Sequence, residues 1–251
     1  MKALISDIHG NFEALKAVFE DIDAHKAEEV YFLGDVVGYG PEPEACIDML
    51  EKRCSVFLMG NHDHAILSAP VGFNPIAEEA IWCLKARMEP GIYSMPWKHR
   101  RWNFLGTLRT LYLEEGRMFV HGSPRDPISE YIMTTDPLYN PEKVESIFER
   151  MEQLLFCGHT HQPGVITDSA MTFVTPHEIG NAYTFTGEKA IINIGSVGQP
   201  RDGNPMACYA LLDDDRILWR RIPYDIESTI QKISKIDCLH PRNGNRLLDG
   251  R

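Results

Sequence analysis

Five short stretches carry side chains of the types that bind divalent metals. They are Asp7-Ile8-His9, Gly34-Asp35, Gly60-Asn61-His62-Asp63, His121-Gly122-Ser123 and Gly158-His159-Thr160-His161. Carboxylate oxygen and imidazole nitrogen are the hard and borderline donors that first-row divalent cations take. In extended chain, Asp7 and His9 stand at i and i+2, so both side chains reach toward one point in space. One D-x-H is common and weak. Asp63 aside, the five stretches supply two aspartates, Asp7 and Asp35, one asparagine, Asn61, and four or five histidine ligands, enough for two cations sharing a bridging carboxylate. The chemistry of such a pair is metal-assisted hydrolysis.

Each stretch closes an apolar run: Ala3-Leu4-Ile5, Val30 to Leu33, Ser55 to Met59, Arg117 to Val120 and Leu154 to Cys157. Between the first two, apolar residues at 12, 15, 18, 19 and 22 form a helical stripe with Asn11 as its N-cap. A shorter helix runs through Cys46, Ile47 and Leu50. Strand, helix, strand, helix, strand predicts parallel right-handed crossovers, with the site outside the carboxyl ends of the strands. Residues 74–108 read as a helical insertion packing on the sheet, and 141–151 as a further helix. Residues 125–140 have no clear period, and a loop of that length is more often functional or mobile than filler. After 161 the chain becomes β-rich and antiparallel in style, with candidate strands at 164–166, 172–175, 190–194, 207–212 and 217–222. A short helix (226–233) opens a tail, about 225–251, expected to be loosely packed. The whole reads as one domain, 1–251.

Composition narrows the partners. A net charge of -11 over 251 residues argues against duplex nucleic acid and anionic membranes. An anionic substrate would need local attraction, which a metal cluster provides. The six cysteines form no C-x-x-C pair and no apolar run approaches the roughly 20 residues that span a bilayer. The expectation is a cytoplasmic protein with reduced thiols. Oligomeric state is unreadable from the sequence.

The motifs D-x-H-G-N (7–11), G-D (34–35), G-N-H-D (60–63), H-G-S (121–123) and G-H-T-H (158–161) resemble, in that order, those of the calcineurin-like metallophosphoesterases. They cover the first two thirds of the chain. The stretch Asn193 to Arg201 is similar to the small bacterial phosphoesterases of that group. The resemblance implies an α/β fold, a four-layer α-β-β-α sandwich of two packed mixed β-sheets flanked by helices. It implies two divalent metal ions (Mn, Fe or Zn): Asp7, His9 and His161 on one, Asn61, His121 and His159 on the other, Asp35 bridging. A hydroxide between them would attack phosphorus, His62 would protonate the leaving group and Asp63 would orient His62. Asn11, Tyr39 and Arg201 are the substrate-binding candidates, and Asn11 serves equally as a helix cap. Val36-Val37-Gly38-Tyr39-Gly40 follows Asp35 where the protein-phosphatase branch has an acidic residue and Arg, which argues against a phosphoprotein substrate. A small phosphorylated substrate remains, whether monoester, diester or dinucleoside polyphosphate, and G-D-V-V-G-Y-G-P is similar to relatives acting on the last. Two other classes compete. A non-catalytic scaffold typically lacks some ligands or the histidine after Asn61, all present here. A mononuclear zinc hydrolase needs three ligands and no bridging Asp.

Overall fold

Alternation within single strands sets the layers. In the computed structural model, which describes residues 1–251, Leu4 faces one core while Ala3 and Ile5 face another, as the two-residue period of a strand requires. One sheet has the order β3-β2-β1-β11-β12-β9. The other has the order β4-β5-β6-β10-β7-β8. The strands are β1 (Lys2–Ile5), β2 (Glu29–Phe32), β3 (Val56–Phe57), β4 (Leu111–Glu114), β5 (Arg117–Val120) and β6 (Leu154–Cys157). The rest are β7 (Gly164–Thr167), β8 (Phe173–Val174), β9 (Ala182–Thr184), β10 (Ala190–Asn193), β11 (Ala207–Leu212) and β12 (Arg216–Ile222). Both sheets are mixed: β1 pairs parallel with β2 and antiparallel with β11, and β10 pairs parallel with β6 and antiparallel with β7.

Leu4, Tyr31 and Leu33 meet Phe119, Phe156 and Ile192 between the sheets. Ala3, Ile5 and Phe32 pack outward on helices Phe12–Ala24, Pro43–Arg53, Pro75–Met88 and Pro96–Thr107. Val120, Leu155 and Ile191 cover the far face with helix Pro141–Phe148. The result is the four-layer sandwich. No helix is long and apolar enough to cross a membrane.

The structure amends the sequence reading in several places. The five donor-bearing strands belong to two sheets, β1, β2 and β3 in one and β5 and β6 in the other. Their apolar runs look alike because both sheets are buried. β4 and β9 lie outside the strands that the apolar runs predict. Leu113 is largely exposed in β4, an edge strand that turns through Glu115 and Gly116, both at positive φ, into β5. The tail is not loose. Helices Ile226–Ile233 and Arg242–Asn245 and a 3-10 turn at Arg246–Leu248 bury Ile233, Leu239 and Leu247 against Ala80 and Cys83. Its apolar residues are too sparse to show a period, yet each fills a place. Cys83 and Cys238 form a disulfide with Cα atoms 5.6 Å apart, so the thiols are not all reduced.

Candidate metal centre

The donor residues sit in strained backbone. Asp7, His9, Asp35, His159 and His161 have φ between +48° and +67°, a region that costs a non-glycine residue about 1–3 kcal/mol. Asp7 and His9 therefore converge through a tight turn beyond β1, not through extended chain as the spacing implied. Hydrogen bonds hold the turn: Asp7 N to Gly34 O at 2.9 Å, Ile8 N to Asp35 O at 2.8 Å and Gly10 N to Val36 O at 2.8 Å. Gly60 is needed because a Cβ there would run into the Asp35 carboxylate.

Asp7, His9 and His161 form one cluster. His9 Nδ1 lies 2.9 Å from the Val37 carbonyl, and His161 Nδ1 lies 2.5 Å from the Gln199 carbonyl. A carbonyl only accepts, so each Nδ1 carries the proton and each Nε2 presents a lone pair. These two Nε2 atoms face each other at 3.2 Å. Asp7 Oδ1 lies 3.2 Å from His161 Nε2 and 3.9 Å from His9 Nε2, buried and without a hydrogen-bond partner. Burial lowers the pKa of both histidines, which keeps them neutral, and His161 holds that of Asp7 well below the usual carboxylate range although burial raises it. Three lone pairs thus converge with no hydrogen between them, an arrangement that a cation satisfies.

The second cluster is Asp35, His121 and His159. His121 Nδ1 donates to the Leu33 carbonyl at 2.9 Å, and His159 Nε2 to the Ser129 carbonyl at 3.1 Å. Their other nitrogens face each other at 3.1 Å. Asn61 Oδ1 stands 3.2 Å and Asp35 Oδ2 3.4 Å from His121 Nε2. Burial lowers His159 to about 3. Burial also lowers His121, but Asp35 outweighs it and raises the pKa to about 9. The charge that favours a proton there also favours a cation. Asp35 Oδ2 lies 3.8 Å from His9 Nε2, which places this carboxylate between the clusters.

His62 is buried against His9 and Tyr39, with ring centroids 4.7 Å away in each case, and against Phe73 at 4.9 Å. Its Nδ1 is buried with no partner, and burial lowers its pKa to about 4. Asp63 does not reach this ring. Its Oδ2 accepts from Asp35 N (2.7 Å) and Gly60 N (3.2 Å), and its Oδ1 from Val36 N (3.0 Å) and Val37 N (3.2 Å). Burial, then the Asp35 charge, pushes Asp63 up to about 7. Asp63 shapes the Asp35 loop, which corrects the expectation that it orients His62.

Asn11 is also corrected. Its Oδ1 caps Ala14 N at 3.2 Å and accepts from Thr229 at 3.0 Å, while Nδ2 donates to Gly198 O at 2.9 Å and to Tyr224 Oη at 3.1 Å. That leaves the amide no free donor for a substrate. Tyr39 and Arg201 do meet at the clusters. The Tyr39 ring lies 4.8 Å from His9, and Arg201 Nη2 lies 3.5 Å from Tyr39 Oη. Tyr131, placed by sequence only in an irregular loop, stacks on His159 at 3.7 Å. Its loop also supplies the Ser129 carbonyl, a main-chain role that no residue type signals.

A family model described as calcineurin-like phosphoesterase matches residues 3–163. An uncharacterized protein of Methanocaldococcus jannaschii is 36% identical over 261 residues, covering 100% of this chain and 98% of its own length. The crystal structure of a metallophosphoesterase from Sphaerobacter thermophilus superposes with TM-score 0.84 and 31% identity, over 100% of this chain and 99% of that one. A hypothetical protein of Pyrococcus horikoshii shares the fold, with TM-score 0.77, 20% identity and coverage of 100% and 99%.

Proposed function

The chain belongs to the calcineurin-like phosphoesterase family, and on that premise we propose that it hydrolyses phosphate ester or phosphoanhydride bonds of small substrates with two divalent cations. The observation that carries this reading is the pair of facing imidazole lone pairs beside the unpartnered Asp7 Oδ1. Asp7, His9 and His161 would hold one cation, and Asn61, His121 and His159 the other, with Asp35 shared. When bound, the pair supplies a Lewis acid for the phosphoryl oxygens and lowers the pKa of water. The mixed oxygen and nitrogen donors suit Mn, Fe and Zn alike.

The other roles fall to the chain itself. The carbonyls of Val37, Gln199, Leu33 and Ser129 fix the tautomer and angle of the four imidazoles. Asp63 holds the loop that carries Asp35 and the Val37 carbonyl. His62 donates its proton to the departing oxygen. Burial favours its neutral form, and a phosphoryl anion alongside raises its pKa toward the operating range. Arg201, with a buried and unpartnered Nε, contacts phosphate oxygens from the Tyr39 side.

The test is hydrolysis of p-nitrophenyl phosphate, bis-p-nitrophenyl phosphate and diadenosine tetraphosphate by metal-stripped protein reloaded with Mn²⁺. Metal-dependent turnover of at least one is expected, with about two Mn²⁺ bound per chain. No turnover of any at full metal content would overturn the reading and favour a scaffold.

A further inference from the structure

The C-terminal turn brings two arginines to the Tyr39 side of the site, where Arg201 already lies. A cleft of about 490 Å³ is lined there by Tyr39, Arg242, Asn243 and Arg246 among others. The guanidinium carbons of Arg201 and Arg246 lie 5.8 and 5.9 Å from the Tyr39 ring centroid. No acidic side chain pairs with Arg201 or Arg242, and Arg246 donates only its Nε, to the main-chain oxygen of Arg251 in the same cleft wall, whereas Arg87, Arg101 and Arg220 each have an acidic side-chain partner. This concentration of guanidinium groups without acidic side-chain partners stands out in a chain of net charge -11. Arg246 carries the cost: burial first, then repulsion from Arg201 and Arg242, lowers its pKa to about 10.

A second observation points to a ligand. Asn243 is buried in the same cleft wall, and neither its amide nitrogen nor its amide oxygen has a hydrogen-bond partner. A buried polar group left without a partner is destabilising until something supplies one. The Arg201 Nε is likewise buried and unmet. Donors outnumber acceptors, and planar guanidinium forks match a tetrahedral oxyanion. Tyr39 separates the arginines from His9 and His62 by one ring, with centroids 4.8 and 4.7 Å from theirs. An anion among the arginines would thus lie beside the phosphoryl group being attacked.

We propose that Arg201, Arg242, Arg246 and Asn243 bind a second phosphate, so that the preferred substrates carry a phosphoanhydride chain and not a single phosphate ester. The site of attack rests on the function proposed above, but the second subsite is built by the chain alone. Its first test is therefore calorimetric titration of the metal-free full chain with inorganic pyrophosphate. Binding is expected, with Kd raised about tenfold by Arg242→Gln, whose side chain is exposed and whose loss spares the fold. Arg246→Gln is expected to do at least as much, and Arg246→Lys to recover part of the loss. Failure of the unaltered protein to bind pyrophosphate, or equal Kd values across the variants, overturns the subsite. In the Mn²⁺-loaded enzyme, the ratio of kcat/KM for diadenosine tetraphosphate to that for p-nitrophenyl phosphate should fall about tenfold in Arg242→Gln. An unchanged ratio overturns the subsite while leaving the phosphoesterase reading intact. Absence of all turnover sinks that reading and leaves the pyrophosphate titration to decide the subsite.

Discussion

Asp63→Asn tests whether Asp63 builds the metal centre or serves His62. The carboxylate receives four backbone N–H groups, two on each oxygen. An asparagine keeps one oxygen and turns an NH₂ toward the other two donors. Two buried N–H groups then lose their acceptor, at about 1–3 kcal/mol each, or about 2–6 kcal/mol together. At roughly 2–4 °C per kcal/mol for a chain of this size, Tm should fall by roughly 4–24 °C. The measurement belongs at pH 8, because Asp63 titrates near 7 and its protonated form resembles the variant. The loosened loop carries Asp35 and the Val37 carbonyl that orients His9. Affinity for Mn²⁺ should therefore weaken by about 10–100-fold, the usual effect of removing a group that supports ligands. Chelator competition measures the affinity and differential scanning calorimetry the Tm. A variant with unaltered Tm and Mn²⁺ affinity but reduced kcat would refute the reasoning and restore Asp63 as a partner of His62.

Three further outcomes follow from the same geometry. His62→Gln should keep two metals and lose about 10²–10⁴-fold in kcat on an alkyl phosphate, with a smaller loss on p-nitrophenyl phosphate, whose leaving group needs little protonation. Equal turnover of the alkyl ester by both proteins would remove His62 from the mechanism. Asp35→Asn keeps the shape that receives His62 N but removes the shared charge, so elemental analysis should show both metals depleted. Loss of only one would mean that Asp35 does not bridge. Away from the site, Asp21 accepts from Tyr209 Oη at 2.6 Å and from Arg220 at 2.9 and 3.0 Å. Burial raises its pKa, but these partners lower it further, below the ordinary 3.8. Its stabilisation is then complete above that value and is lost as pH falls through the depressed folded pKa. Asp21→Asn should cost about 1–3 kcal/mol at pH 7, and its Tm gap from the unaltered protein should narrow at an acid pH below the ordinary carboxylate range. A gap equally wide at both pH values would refute this assignment.

The donors were legible in the sequence because each sits where an apolar run stops. Leu154 to Cys157 before Gly158-His159 shows both the strand and the turn, and chemistry-bearing types stand out against such a background. The structure brings all seven of those donors together. What the sequence hid depends on groups without an identity of their own. The Gln199 and Ser129 carbonyls that fix His161 and His159 belong to the main chain. Asn11 and Asp63 carry chemistry-bearing side chains, but whether a side chain is free or spent on the backbone emerges only from tertiary contact. The division of five similar strands between two sheets has no local signal either. Both sheets are buried on both faces, so their residue types match.

The Cys83–Cys238 bond divides the chain into a covalent ring, a long N-terminal arm and a short C-terminal end. His121, His159, His161 and Arg201 lie within the ring, whereas Asp7, His9, Asp35, Asn61 and His62 lie on the arm. Each metal cluster mixes the two, so neither can assemble until β1 has docked antiparallel beside β11. With a sequence separation of 155 residues, closing the ring removes roughly 5 kcal/mol of unfolded-state entropy on a loop-closure account. The ring also changes what a protease can do. Ile92 and Tyr93 are almost fully exposed between two helices, and a cut there would leave a single molecule until a reductant separated an N-terminal piece holding Asp7, His9, Asp35 and Asn61 from a C-terminal piece holding His121, His159 and His161.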